Sequence, residues 1–260
     1  MRHGKRQQMA QHAADKQRKK KERSGAAYSA VAALFFAGLM VFAGYQALVH
    51  PDTPLPREWN PTKPLRISDP VTMLSAWKLN RASETADQCI ATLEGNAALE
   101  VLVPLEENAQ CFIRDRVDLR SVGNARVTPI ETRCAIALRM AMWEHHSIQP
   151  AAAEFLGTNV QSIEHIGSYN CRVMRTSSGP STRMSTHATA DAIDIAGFGL
   201  ADGTRIRLLT DWEPVGPKAD FLRKVRDGAC KWFNLTLSPD YNRLHADHFH
   251  LQSRGWGLCR

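Results

Sequence analysis

The sequence predicts an α+β domain, a small antiparallel sheet flanked by helices, preceded by one N-terminal transmembrane helix. Three observations support this class: an uncharged apolar run near the N-terminus, helical patterns after it, and short strand patterns separated by turns towards the C-terminus. Helices followed by a run of strands are typical of α+β domains. Of the 260 residues, 43% are hydrophobic, which is enough for the packed core of one domain.

The first 49 residues combine a basic tail with an apolar helix. Residues 1–24 carry a net charge of +7, which equals the formal net charge of the whole chain. Because the rest of the chain is balanced, the basic residues do not indicate a nucleic-acid partner. Residues 25–49 carry no charge and are long enough to cross a bilayer, which takes about 20 apolar residues in a helix.

The basic tail also predicts the topology. Lys and Arg stay on the cytoplasmic side of a membrane, so residues 50–260 are expected in the periplasm, anchored to the inner (cytoplasmic) membrane by a single span. A cleaved signal peptide or a buried core helix are the alternatives, although the run exceeds the roughly 7–15 apolar residues of a typical signal peptide. The tail need not contact anionic lipids.

Residues 50–70 hold six prolines and are predicted to form an extended spacer in front of a domain over 71–260. All six cysteines lie in this domain. An even number of exported cysteines predicts up to three disulfide bonds. Chain order suggests the pairs Cys89–Cys111, Cys134–Cys171 and Cys230–Cys259.

Hydrophobic periodicity predicts the order of elements in the domain. Two short helices over 71–95 precede a strand over 98–105. The segment Thr128-Pro129-Ile130-Glu131 has the residues of a helix start and predicts a helix that ends at Gly157. Later strands are expected near 160–169, 190–198, 205–209 and 248–251, with a helix over 218–233.

Two segments carry residues that could perform chemistry. In the first, alternation along a strand places Asp194 on one face with Ala192 and Ala196. An unpaired carboxylate in such an apolar strand is costly, and a metal ion would balance its charge. His187 lies on the loop that enters the strand, from which it could fold back towards Asp194.

The second segment is His245-Ala-Asp247-His248-Phe249-His250, in which His248 and His250 share a face of a predicted strand. Imidazole and carboxylate are good zinc ligands, and three protein ligands with an open position are typical of catalytic zinc sites. Each segment alone is compatible with structural or surface histidines, but together they supply a full ligand set. Four other histidines are interpreted as ordinary residues: His145, His146, His165 and His245.

In this order, the two segments resemble the zinc peptidases that cleave peptidoglycan, which include D-Ala-D-Ala carboxypeptidases and murein endopeptidases and share a fold with the hedgehog signalling domain. More specifically, residues 65–260 resemble the bacterial extensin-like C-terminal domain family. The matching segments are Gly167–Arg172, Ser185–Phe198, Leu200–Gly203, Val225–Cys230 and Asp240–His250.

The resemblance implies a hedgehog-like domain over 71–260 that acts on peptidoglycan, with Zn²⁺ bound by His187, Asp194 and His250. It also implies that Arg172 stabilises substrate or developing negative charge, although the local sequence Ser-Tyr-Asn-Cys-Arg differs from the Gly-Tyr-Arg-Ser-type segment of the carboxypeptidases. Ala190 stands where these peptidases usually have glycine, which could tighten the site or reduce activity.

Two residues, Asp247 and His248, are candidates for the general base. The carboxypeptidases have a glutamate three residues before the last ligand, where this chain has Asp247, whereas the endopeptidases use the first histidine of His-x-His, here His248. In a regular strand, position minus two shares the face of the ligand and position minus three does not. We therefore favour His248 as base or transition-state stabiliser, with Asp247 orienting a histidine.

Three functions fit these observations. The first is a membrane-anchored periplasmic zinc peptidase that acts on stem peptides or cross-links of peptidoglycan. The second is a non-catalytic wall-binding module that retains the metal site, which Ala190 and the ambiguous base favour. The third is a membrane-tethered scaffold in which the polar cluster is incidental.

Overall fold

A computed structural model describes residues 2–176, 179–213 and 215–260. The chain forms two compact units, Met1–Pro56 and Arg57–Arg260. The first unit is dominated by helix α1 (Arg2–Val49). Within α1, the 22 residues Tyr28–Val49 are apolar and long enough to cross a membrane. By length and composition, this helix is a candidate membrane span.

The second unit has an α+β fold. Over the described residues its α-helices are α2 (Ser75–Ala82), α3 (Ala86–Leu93), α4 (Cys134–Trp143), α5 (Gln149–Leu156), α6 (Leu208–Asp211) and α7 (Pro217–Trp232). A π-helical turn (Glu144–Ile148) joins α4 to α5, and 3₁₀ turns cover Arg57–Trp59, Thr186–Thr189 and Arg243–His245.

Thirteen strands are found in the described part of this unit. They are β1 (Ala97–Val101), β2 (Leu105–Asn108), β3 (Cys111–Ile113), β4 (Arg116–Val122), β5 (Ala125–Arg133), β6 (Val160–Gly167), β7 (Val173–Thr176), β8 (Gly179–Met184), β9 (Ala192–Leu200), β10 (Arg205–Arg207), β11 (Leu235–Leu237), β12 (Phe249–Gln252) and β13 (Leu258–Cys259).

The main sheet is larger than expected and mixed. Nine of these strands form it, in the order β1-β4-β5-β6-β9-β12-β11-β13 with β10 paired to β9. The β5–β6 and β11–β13 pairs are parallel, and the other neighbours are antiparallel. The pairs β2–β3 and β7–β8 form separate two-stranded sheets. The expectation of a small antiparallel sheet is therefore wrong, because it assigned no strand to β4 and a helix start to β5.

The helix predicted from Thr128 begins only at Cys134. Its supposed first turn belongs to β5, whose buried side chains alternate along the strand: Ala125, Val127, Ile130 and Thr132. The alternation is interrupted once, where the pairing with β4 shifts register. Pro129 lies in this interruption, where its missing N–H costs no ladder bond. Burial of the alternating side chains outweighs the local capping signal.

One face of the main sheet carries the core. Phe249 on β12 and Phe198 on β9 lie edge-on to Trp143 of α4, with ring centroids 6.5 and 6.0 Å away. The indole N–H of Trp143 donates to the carbonyl oxygen of Val225 on α7 at 2.9 Å. Helices α4 and α7 therefore cover this face, and residues that alternate with the core positions of β9 and β12 point to the opposite face.

The second unit begins within the segment predicted as a spacer. Leu65 and Ile67 are buried in its core, and the Nζ of buried Lys78 donates to the carbonyl oxygen of Arg57 at 2.7 Å. Only residues 50–56 therefore lie between the end of α1 and the second unit.

Three disulfide bonds join all six cysteines: Cys89–Cys134, Cys111–Cys171 and Cys230–Cys259. The predicted pair Cys230–Cys259 is confirmed. The predicted pairs Cys89–Cys111 and Cys134–Cys171 are wrong, because the fold places α3 against the start of α4 and β3 beside the segment that follows β6. Order along the chain contains no information about these contacts.

Replacing Cys89 and Cys134 together by serine should lower the free energy of unfolding by about 2–4 kcal/mol, because their bond closes a loop of 45 residues. Urea unfolding of the full chain in detergent, followed by circular dichroism, measures this change. An unchanged unfolding midpoint, or a peptide mass map that links Cys89 to Cys111, would contradict the pairing.

Candidate metal centre

The pairing of β9 with β12 brings two predicted site residues together. The strands are antiparallel neighbours, and His250 lies directly opposite Asp194. Residues that are opposite each other in a pair point to the same face. The next pair, Leu251 and Ile193, is buried in the core on the other face. Asp194 and His250 therefore meet on the face that α4 and α7 leave uncovered.

His187 reaches this face from the 3₁₀ turn in front of β9. Ser185 caps the turn, with its hydroxyl oxygen accepting from the His187 N–H at 3.3 Å. The imidazole Nδ1 lies 2.7 Å from the carbonyl oxygen of Ser168. A carbonyl oxygen can only accept, so Nδ1 donates this hydrogen bond and Nε2 is the ring nitrogen that faces Asp194. Ser168 is itself fixed, because its buried hydroxyl donates to the carbonyl oxygen of Ala192 at 2.6 Å.

The three donor groups form a compact triangle in which the two histidines approach different oxygens of Asp194, and one donor atom from each residue lies within 4.8 Å of the others. His187 Nε2 lies 3.2 Å from His250 Nδ1 and 3.2 Å from Asp194 Oδ2, and His250 Nδ1 lies 2.8 Å from Asp194 Oδ1. Zinc bonds of about 2.0–2.1 Å in a tetrahedron place neighbouring donor atoms roughly 3.3 Å apart. The set of two imidazoles and a carboxylate therefore fits a metal ion of this size in both spacing and chemistry.

Two of these groups have shifted pKa values. Burial would raise the pKa of the Asp194 carboxyl, but hydrogen bonds and charges from His187 and His250 outweigh burial and hold that pKa well below its usual value. Burial lowers the pKa of His250, with partial compensation from Asp194. Near neutral pH the carboxyl is therefore ionised and His250 neutral, which are the states that bind metals.

The second nitrogen of His250 is also occupied. The side-chain amide nitrogen of Gln252 lies 2.6 Å from His250 Nε2, and in this orientation the amide donates and the proton of a neutral His250 is on Nδ1. One end of an amide donates and the other accepts, so its orientation decides which imidazole nitrogen keeps the proton. With the amide oxygen towards Nε2, that nitrogen donates and Nδ1 is free to bind a metal. Gln252 was not singled out from the sequence, although it follows His250 by two residues and shares its face.

Ala190 ends the turn that carries His187. Its φ of 48° and ψ of 28° lie in the left-handed region, and it is the one non-glycine residue with a positive φ in the described ranges. The Ala190 N–H donates to the carbonyl oxygen of His187 at 3.0 Å, which closes the turn. Glycine adopts this conformation without the cost of about 1–2 kcal/mol that a Cβ atom adds.

A buried carboxylate holds the same turn in place. The Asp191 side chain is only 3% exposed and lies 2.6 Å from the guanidinium of Arg133 at the end of β5 and 2.9 Å from that of Arg254 after β12. Thr189 donates to the same carboxylate at 2.5 Å. Asp191 thus ties the His187 turn to two other parts of the sheet. This role was not predicted from the sequence. The available signal was an acidic residue in an otherwise apolar segment.

The two candidate bases are placed differently. His248 Nε2 lies 3.7 Å from Asp194 Oδ1, so this imidazole faces the centre. Its Nδ1 lies 2.8 Å from Asp247 Oδ1, and the Asp247 side chain is 53% exposed. Asp247 therefore contacts the far side of His248.

A further histidine, His245, lies beside the centre, which corrects its interpretation as an ordinary residue. The ring of His245 is 5.3 Å from that of His248 and 5.8 Å from that of His250, measured between centroids. Burial, followed by the charges of His250 and His248, lowers the pKa of His245 to about 4. The clustering of three histidines within six residues was the available signal.

The remaining candidate, Arg172, lies beside the His187 turn through its backbone, because its carbonyl oxygen accepts from the N–H of Ser185 at 3.0 Å. Among the described residues, its side chain has no hydrogen bond to the donor groups of the centre. Its guanidinium donates to the carbonyl oxygen of the adjacent Val173 at 3.3 Å. Two of the histidines treated as ordinary bind backbone elsewhere: His146 lies 2.7 Å from the carbonyl oxygen of Ile67, and His165 lies 2.9 Å from that of Thr128.

The strain at Ala190 can be measured with a matched pair of variants. Ala190→Gly should leave the free energy of unfolding nearly unchanged, because relief of about 1–2 kcal/mol offsets the lost methyl group and the added chain entropy. Ala192→Gly removes an equally buried methyl group without such relief and should cost about 1.5 kcal/mol. Urea titration measures both, and equal losses would show that Ala190 is unstrained.

The whole candidate centre lies in a region with a recognised family. Residues 87–260 match the sequence profile of the family described as extensin-like protein C-terminus. Comparison with curated proteins and with solved structures returned no match. Because the matched region spans more than half of the sequence, the chain belongs to the extensin-like protein C-terminus family.

Proposed function

We propose that the chain is a membrane-anchored zinc-dependent hydrolase that cleaves peptide bonds in the stem peptides or cross-links of bacterial peptidoglycan. Membership of the family does not by itself specify a reaction. The observation that carries the proposal is the triangle of donor groups from His187, Asp194 and His250, whose contacts with one another measure 2.8–3.2 Å.

Zn²⁺ is the cofactor that fits this set best. His187 would bind through Nε2, His250 through Nδ1 and Asp194 through its carboxylate. Three protein donors leave one position for water or substrate, which is typical of catalytic rather than structural sites. When bound there, the ion would supply a Lewis acid that acidifies water and polarises a carbonyl group.

His248 is the residue best placed to move protons in this reaction. The Asp247 carboxylate accepts from Nδ1–H, so the lone pair of Nε2 faces the centre. Nε2 would take a proton from the attacking water as its oxygen bonds to the carbonyl carbon. The same proton would then pass to the amide nitrogen as the carbon–nitrogen bond breaks. Asp247 would orient His248, because its exposed carboxylate contacts the side of the imidazole that faces away from the centre.

Location supports the choice of substrate class. The basic tail and the apolar segment Tyr28–Val49 favour a single span of the inner membrane with the second unit in the periplasm. Three disulfide bonds favour the same oxidising compartment. Peptidoglycan is the peptide-bearing polymer that an enzyme tethered there would meet, and the resembling peptidases act on it.

A second candidate function is a wall-binding module that retains the metal without catalysis. The side chain of Arg172 favours this candidate. Its guanidinium donates to the carbonyl oxygen of Val173, and in that position it would not stabilise the negative charge that develops during peptide hydrolysis. The strained Ala190 favours it as well.

Metal binding is the first test. The full chain, purified in detergent, should contain one zinc ion per chain by elemental analysis. His187→Ala should weaken zinc affinity by at least about 100-fold in a chelator competition, because loss of a ligand exceeds the effect of losing its hydrogen-bond partner. His145→Ala, which changes an exposed histidine outside the centre, is the matched control. Equal zinc contents in all three proteins would exclude the proposed ligand set.

Catalysis is tested separately by digesting isolated sacculi and analysing the muropeptides. The zinc-loaded chain should release cleaved stem peptides or cross-links, and His248→Ala should slow release by about 10²–10⁴-fold while it keeps its zinc. Intact muropeptides in the presence of stoichiometric zinc would favour the wall-binding module. A larger loss for Asp247→Ala than for His248→Ala would assign the base to Asp247.

A further inference from the structure

The start of the second unit presents an exposed apolar patch that the metal centre does not explain. We name the four residues Trp59, Val71, Met73 and Trp77 the N-terminal patch. Their exposed fractions are 45%, 53%, 86% and 43%. Two of them are tryptophans, which are enriched where a protein surface meets a partner or a membrane interface.

Hydrogen bonds hold the segments of the N-terminal patch side by side. The Thr72 hydroxyl, between Val71 and Met73, donates to the carbonyl oxygen of Glu58 at 3.2 Å. Lys78, which follows Trp77, donates to the carbonyl oxygen of Arg57 at 2.7 Å. The backbone segments that carry the patch are therefore already held together, which lowers the entropic cost of binding a partner.

The charge around the patch is positive. Residues 57–81 contain five basic and two acidic side chains, but Lys78 is buried, so the remaining side chains carry a net charge of +2. One basic group, Arg57, is paired with Asp69 at 3.5 Å. Arg66 and Arg81 are exposed, and the guanidinium of Arg81 lies 5.5 Å from the ring centroid of Trp77. Aromatic and apolar side chains surrounded by Arg and Lys match the interface of a membrane with anionic lipids.

The sequence also limits which surface the patch can meet. Seven residues, 50–56, connect the end of α1 to Arg57, and they can span at most about 25 Å. If Tyr28–Val49 crosses the membrane, as the proposed function holds, the patch is tethered close to the outer surface of that membrane. Such tethering makes a weak surface contact effectively intramolecular.

We propose that the N-terminal patch docks the second unit on the outer surface of the cytoplasmic membrane, with Trp59 and Trp77 among the lipid headgroups. This inference rests on the membrane anchor of the proposed function. It does not depend on zinc or on hydrolysis.

Docking in this way would leave the metal centre accessible. Asn80 of α2, the helix that carries Trp77, accepts from the guanidinium of Arg139 on α4 at 2.7 Å. Helix α4 covers the face of the sheet opposite Asp194 and His250. The patch therefore belongs to the helical side of the second unit, and a docked unit would turn its donor triangle away from the lipid.

Tryptophan fluorescence tests the docking directly, because all six tryptophans lie in the second unit and α1 has none. Trp143, Trp212 and Trp232 are buried, whereas Trp59, Trp77 and Trp256 are exposed. The full chain is reconstituted in vesicles of phosphatidylethanolamine and phosphatidylglycerol, with or without brominated acyl chains as a contact quencher.

We expect bromine to quench the emission of the unchanged chain. The double variant Trp59→Phe with Trp77→Phe should lose more than half of the quenched component. Trp256→Phe, the matched control at a fully exposed site outside the patch, should keep it. Loss of quenching in Trp256→Phe alone would place a different surface on the lipid and overturn the proposal.

Flotation after an alkaline carbonate wash separates failure of the docking from failure of the anchor. A chain that the wash releases from the vesicles overturns the anchor and the docking together. A chain that floats with the vesicles but shows no bromine quenching overturns the docking alone. The patch would then be a contact site for another protein.

Discussion

The burial of one carboxylate, that of Asp194, is the constraint on which the centre depends. A charge on a β-strand between core residues is tolerated only with partners that compensate for lost hydration. Pairing of β9 with β12 supplies His250 directly opposite, and the turn before β9 supplies His187. Both histidines stabilise the ionised form of Asp194, so the backbone geometry of one strand pair and one turn determines the electrostatics of the whole cluster.

The surrounding structure then fixes each histidine through its second nitrogen or its backbone. The Ser168 carbonyl holds the proton of His187, the Gln252 amide contacts His250, and Asp247 contacts His248. Asp191 anchors the turn itself through two guanidinium groups. Such partners orient metal-binding histidines and tune their basicity. The donor triangle is therefore an arrangement held from several directions rather than a chance meeting of polar side chains.

Sequence reasoning could predict the parts of this arrangement that depend on local periodicity. Alternation along a strand places Asp194 and His250 on one face, provided that their strands are neighbours, and the pairing of β9 with β12 meets that condition. The extent of the sheet could not be predicted in the same way. Residues Thr128–Glu131 have the sequence of a helix start but form part of β5. Pairing with β4 and β6 makes the strand more favourable there, and these neighbours are distant in sequence. The disulfide pairs and the approach of His245 likewise depend on contacts distant in sequence.

The disulfide between Cys111 and Cys171 has a consequence for when the centre can form. Cys171 is three residues from Ser168, whose carbonyl fixes the tautomer of His187. In the reduced chain, the segment from Ser168 to Cys171 lacks its covalent tie to β3, and the carbonyl is held less firmly. Disulfides form after export to an oxidising compartment. If the second unit is exported and binds zinc, as proposed, the donor triangle would mature only after export, and a newly synthesised chain would not sequester cytosolic zinc.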